Sequence, residues 1–284
     1  MRPLRIEYPG ALYHITSRGN RYASIFRTDK DRRSFLEILN DVCTTHHWFC
    51  DAYCLMDNHY HLLVETPEGN LSAGMRDLNG LYTQFFNKQN KTVGHVFQGR
   101  YHTFLIEKDG YYLNVARYIV LNPVRAQLVD HPRDWPWSSY QDMLAIKQRY
   151  RFFQPKRLLD FFHQNQKIAR KAFKSFVDET ILDTSPFGEI HEGTILGSPQ
   201  FVSEVYGYRE FAHDSREIPV PQRLIGRPIL SQLFDKQDDI FKRNELIRFA
   251  RSRCGYSVTA IAKQLGIHRT TVSRILNESS KRYK

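Results

Sequence analysis

The sequence predicts an α+β chain, with a ferredoxin-like antiparallel sheet and helices first and an α-helical helix-turn-helix domain last. Three observations carry this. Apolar residues alternate at period 2 and then recur at period 3.6 in the order strand, helix, strand, strand, helix, strand between Ala11 and Glu107. A Gly- and Pro-rich stretch follows, from Gly188 to Pro228. Two short helical patterns then flank Gly266 near the end.

Each element has its own signal. Ala11 to Ser17 sets Leu12, His14 and Thr16 against Tyr13 and Ile15, and then meets the turn Arg18-Gly19-Asn20, as a strand does. Asp29 is a candidate N-cap for a helix to about His46, with Phe35, Leu36, Leu39, Val42 and Cys43 as its apolar stripe. Phe49 to Met56 and the strand from His59 form a hairpin around Asp57-Asn58. Leu71 to Lys88 carries Leu71, Met75, Leu78, Leu81, Tyr82, Phe85 and Phe86 at helical spacing. Tyr101 to Glu107 returns as a strand. Asp109 to Leu121 is a third helix, which Pro123 is expected to stop. Helices on one face of such a sheet leave the other face open for a ligand. Trp135, Trp137 and Tyr140 close this unit as packing residues, and Leu158 to Val177 is read as one or two short helices.

The expected domains are residues 1–145, a loop-rich connector at 146–228 and a helix-turn-helix unit at 229–284. Charge supports that division. The net charge is +11, yet residues 1–145 hold 16 Lys/Arg against 15 Asp/Glu, whereas residues 229–284 hold 12 against 5. A basic tail of that kind favours a polyanion such as nucleic acid. Ser257 is a candidate N-cap, Ala260, Ile261 and Leu265 face inward, and Val272, Ile275 and Leu276 anchor the second helix. Arg269, Thr270, Thr271, Ser273 and Arg274 then point outward, where a recognition helix meets bases and phosphates.

Cys43, Cys50, Cys54 and Cys254 do not space as a disulfide framework or a zinc site, and they read as buried apolar thiols. No apolar run reaches the length of a membrane span, and the expected location is cytoplasmic and nucleoid-associated.

The chemistry is concentrated in Asp57-Asn58-His59-Tyr60-His61-Leu62-Leu63-Val64-Glu65. On a strand, His59 and His61 project to one side about 7 Å apart, as a pair of metal ligands would. In Arg117-Tyr118-Ile119-Val120-Leu121-Asn122, Tyr118 and Asn122 share a helix face. An amide oxygen as third ligand suits Mg²⁺ or Mn²⁺ with positions open to a phosphate oxygen. Tyr118 would be the nucleophile, forming a phosphotyrosine that conserves the phosphodiester's energy for rejoining.

These segments, with Tyr13-His14-Ile15-Thr16-Ser17-Arg18-Gly19-Asn20, Phe97-Gln98-Gly99-Arg100-Tyr101 and Pro123-Val124-Arg125-Ala126, resemble the single-tyrosine HUH transposases, and particularly their REP-associated relatives. The resemblance covers residues 1 to about 145. It implies a divalent metal, cleavage of single-stranded DNA at or near hairpins, a 5′-phosphotyrosine and a free 3′-OH. It carries His59 and His61 over as ligands, Tyr118 as nucleophile and Asn122 as third ligand, where many members have Gln. Its members are either dimers that exchange the tyrosine helix or monomers. The helix-turn-helix extension departs from the compact members and adds duplex binding to the expectation. The alternatives are a non-catalytic DNA-binding regulator derived from a transposase and an RNA-binding protein, although no RRM aromatic signature is present.

Overall fold

The computed structural model describes residues 6–145, 149–179, 186, 190–191, 194–205, 230–234, 240–252, 256 and 258–278. The described residues divide into two compact units, Gly10–Val202 and a second one containing Ser203–Lys284.

In the first unit, β1 (Ala11–Arg18), α1 (Asp29–Thr45), β2 (Phe49–Leu55), β3 (His59–Thr66), α2 (Leu71–Asn90) and β4 (His102–Ile106) follow the predicted order. The sheet runs β2-β3-β1-β4, with β1 antiparallel to both its neighbours, which is the ferredoxin-like arrangement. Two short strands, β5 (Ile190–His191) and β6 (Ile195–Leu196), extend it beyond β4, and β6 runs parallel to β4.

The N-cap of α1 is Thr28 rather than Asp29. Thr28 and Asp31 form a reciprocal capping box that satisfies two amides, whereas Asp29 lies inside the first turn. The strand periodicity sends Tyr60, Leu62 and Val64 to one side of β3. There Phe35 and Tyr60 pack with ring centroids 4.7 Å apart, and Tyr60 donates to Asn79 Oδ1 at 2.6 Å, so α1 and α2 cover this face.

The opposite face, expected from sequence to be open, is in fact partly covered. It carries α3 (Lys108–Arg125), which buries Tyr112, Val115, Ala116, Ile119 and Val120. Nor does α3 end before Pro123, which lies inside it. Proline removes the amide that would bond the Ile119 carbonyl. The Asn122 side-chain amide takes its place, donating to the Ile119 carbonyl at 3.4 Å and the Tyr118 carbonyl at 2.9 Å. The helix therefore continues until the Ala126 amide bonds Asn122.

The free edge of β2 is paired by the tryptophan segment. Leu55 N–H bonds the Trp137 carbonyl at 2.8 Å and Ser139 N–H bonds the Tyr53 carbonyl at 2.9 Å. α4 (Tyr140–Leu144) closes the expected first domain, and beyond residue 145 the chain continues in the same unit through α5 (Lys156–Leu159) and α6 (Gln166–Asp178). Arg157 of α5 donates to Asp51 and to Glu65, each at 2.9 Å, and lies 3.9 Å above the Phe49 ring. Gln166–Asp178 and Lys156–Leu159 are the two short helices expected there.

The second unit contains helices Leu230–Leu233, Ile240–Ser252, Val258–Leu265 and Arg269–Glu278. Ile247, Ala250, Ile261, Ala262, Val272 and Ile275 form its core. Gly266 has φ +63°, the left-handed turn that a helix-turn-helix needs between its last two helices. Ser257 and Cys254 lie outside the described residues. Cys43, Cys50 and Cys54 are buried free thiols. Among the described residues, no helix is long and apolar enough to cross a membrane.

Candidate active site

The β1/β3 register puts Arg18 opposite His59, Thr16 opposite His61 and His14 opposite Leu63. Directly opposed residues share a face, so His14, Arg18, His59 and His61 all project toward the side covered by α3. His59 and His61 pack edge to face with centroids 4.9 Å apart. Tyr118, half-buried on α3, stands edge-on to His61 at 6.1 Å and to His14 at 6.0 Å. The structure therefore brings together both histidines and the tyrosine that the sequence singled out, all from one chain.

The sequence reading missed His14 as a site residue. Its Nε2 lies 2.9 Å from His61 Nδ1, and the two rings are nearly parallel. Its place in the Leu12/His14/Thr16 alternation was the available signal. Asn58 was read only as a turn residue, yet its Oδ1 lies 2.7 Å from His59 Nδ1. Each ligand candidate is thus held through Nδ1, with Nε2 as its other ring nitrogen. His61 Nε2 is buried and has no hydrogen-bond partner, an orphaned atom of the kind a metal ion satisfies.

Both histidines are neutral by environment. Burial pushes His61 well below the usual imidazole range, and His14 and His59 push it further. Burial also lowers His59, and Arg18 adds to this. Neutral imidazole is the ligating form. Burial raises the Tyr118 phenol, while the Arg125 guanidinium, 5.1 Å from its ring centroid, pulls it back down.

Asn122 is placed differently. It lies one turn beyond Tyr118, and its amide nitrogen is engaged within its own helix, leaving Oδ1 as the atom able to ligate. Among the described residues, no group of three or more His, Cys, Asp or Glu side chains is placed to hold a metal. A cation here would therefore rest on two imidazoles plus an amide oxygen or solvent.

In the second unit, Arg269, Thr270 and Arg274 are exposed, and Thr271 and Ser273 are half-buried on the last helix. Residues 8–122 match the family model described as transposase IS200 like. Residues 243–282 match a homeodomain-like domain. The chain is 28% identical over 145 residues to a Haemophilus influenzae protein named as a REP-associated tyrosine transposase, covering 44% of this chain and 82% of that protein. Among solved structures, a REP-associated tyrosine transposase bound to a REP hairpin overlays with TM-score 0.45 and 20% identity, covering 51% of this chain and 86% of the other. A transposase-like protein of Deinococcus radiodurans overlays with TM-score 0.31 and 19% identity, covering 42% and 95%.

Proposed function

We propose that the chain is a metal-dependent single-stranded DNA endonuclease and strand transferase acting at hairpin-type repeats, with duplex binding by its helix-turn-helix unit. The observation that carries this is Tyr118 edge-on to the buried, neutral His61, whose Nε2 has no partner.

His59 and His61 would hold Mg²⁺ or Mn²⁺ through Nε2, with Asn122 Oδ1 as third ligand. When bound, the ion supplies Lewis-acid polarisation of the scissile phosphate. The Tyr118 oxygen attacks phosphorus as its proton passes to solvent, and the leaving O3′ takes up a proton from solvent in return. A Tyr–O–P bond forms and the P–O3′ bond breaks, so the departing strand leaves with a free 3′-OH and the 5′-phosphate stays on the tyrosine. Arg125, beside the Tyr118 ring, stabilises negative charge on the phenol oxygen as it attacks. Reversal with another 3′-OH rejoins the strand.

Tyr118 approaches the histidines of its own chain, which supports a protomer that completes its site without exchanging α3. Arg269, Thr270, Thr271, Ser273 and Arg274 are the proposed duplex contacts. The REP association of the curated relative makes a REP-type hairpin the substrate to try first.

The test is incubation of labelled single-stranded hairpin DNA with protein and Mn²⁺ or Mg²⁺, with a chelator control. The expected outcome is a covalent protein–DNA adduct that needs the metal and disappears in Tyr118→Phe. Binding without an adduct under either metal would replace this reading with a non-catalytic DNA-binding regulator.

A further inference from the structure

Beside His59, the turn Asn20–Tyr22 holds an aromatic ring in solvent at a conformational cost. Arg21 and Tyr22 are consecutive non-glycine residues in the left-handed region, with φ 52° and 62°. Such residues persist only where the surroundings overdetermine them. Gly19 N–H bonds the Asn58 carbonyl at 2.7 Å, and Asn20 N–H bonds the Val96 carbonyl at 2.8 Å. A Cβ on Gly19 would lie 1.9 Å from the Ala23 carbonyl oxygen, so only glycine closes this turn. The Asn58 side-chain amide reaches the Tyr22 carbonyl at 3.4 Å, while its oxygen holds His59.

The ring held this way is 64% exposed. Arg18, opposite His59 in the sheet, places its guanidinium 4.4 Å from the Tyr22 ring centroid, and Gln98 fixes that guanidinium through a 2.8 Å bond to Nε. A buried aromatic needs no such arrangement, and an ordinary surface tyrosine does not justify the backbone cost.

We infer that Tyr22 and Arg18 form a stacking platform for one unpaired nucleobase of the DNA strand next to the scissile phosphate. The tyrosine offers the base a π face and Arg18 offers its charge to the adjoining phosphate. The inference rests on the single-stranded DNA reading above and assigns a nucleotide subsite to it. Because Asn58 touches both Tyr22 and His59, the seated base would be registered against the metal side of the site.

The experiment measures binding of a fluorescent oligonucleotide, a REP-type hairpin with single-stranded flanks, to the full chain in chelator. Flanking nucleotides are replaced one at a time by abasic sites. Wild type, Tyr22→Phe and Tyr22→Asn are compared; asparagine keeps the left-handed backbone while removing the ring. The expected result is a single flanking position whose base removal weakens wild type and Tyr22→Phe by about fivefold or more. Tyr22→Asn should be weakened by a similar factor on intact DNA and should ignore the abasic site at that position. Affinity and abasic profile of Tyr22→Asn equal to wild type would overturn the platform, as would an equal loss in Tyr22→Phe. Adduct formation with Mn²⁺ is scored separately. A ring-dependent abasic profile without any adduct keeps the platform and rejects the nuclease, whereas an adduct with no ring dependence does the reverse.

Discussion

His14 Nε2 and His61 Nδ1 lie 2.9 Å apart in a buried, nearly parallel pair, one strand away from each other. This contact fixes which nitrogen His61 presents. With the His61 proton on Nδ1 and donated to His14, Nε2 carries the lone pair needed by a cation.

Replacing His14 by Ala should therefore weaken Mn²⁺ binding roughly 10- to 100-fold, as loss of a supporting partner typically does. Calorimetric titration of the metal into the variant checks this. Unchanged affinity would mean that the contact is packing alone.

The same burial makes the fold sensitive to acid. Burial lowers His14 from 6.5 to about 3, and His61 is lowered well below its ordinary value. Above pH 6.5 neither the folded nor the unfolded chain protonates these rings, so nothing is lost. Between 6.5 and about 3 the unfolded chain binds protons that the folded His14 refuses, and stability falls as pH falls. The slope approaches about 1.4 kcal/mol per pH unit for each such histidine. Urea unfolding of metal-free protein from pH 7 to pH 5 should show this loss, and His14→Asn should flatten it by about one proton's worth.

Arg157 ties α5 to the sheet through Asp51 and Glu65. Asp51 is 1% exposed, and burial raises its carboxyl while Arg157 is the largest influence lowering it. Arg157→Met should cost about 3–5 kcal/mol by leaving a buried carboxylate unpaired. Adding Asp51→Asn should recover much of that cost, since the stranded charge is gone. A double variant as unstable as the single one would point to lost packing instead.

Arg269 and Arg274 are exposed on the last helix of the helix-turn-helix. If each contacts a phosphate, its replacement by Ala should reduce the slope of log affinity against log salt by about 0.9 on duplex DNA. Binding to single-stranded hairpins should be unaffected if the two units act on separate DNA forms.

Much of this was legible before the structure. The alternation around His59 and His61, and the helical stripe ending in Phe85 and Phe86, are local signals, and β3 and α2 follow them closely. Pro123 misled because its usual helix-stopping effect is offset by Asn122, a side-chain substitution that periodicity does not register. Thr28 was overlooked as a cap because its partner Asp31 completes a reciprocal pair that a single-residue reading cannot weigh. The packing of residues beyond 145 depends on Arg157 meeting Asp51 and Glu65 across the chain, and no local pattern encodes that meeting. His14 stood in plain alternation, but its bond to His61 depends on strand pairing.

The central claim is that Tyr118 becomes covalently joined to DNA. Peptide mapping by mass spectrometry, after reaction with a single-stranded hairpin and Mn²⁺ and nuclease trimming, tests it most directly. The account predicts a nucleotide 5′-phosphate on the Tyr118 side chain and on no other residue of α3. A modification at Tyr111 or Tyr112 instead, or an unmodified α3 in protein that binds the hairpin and the metal, would contradict it.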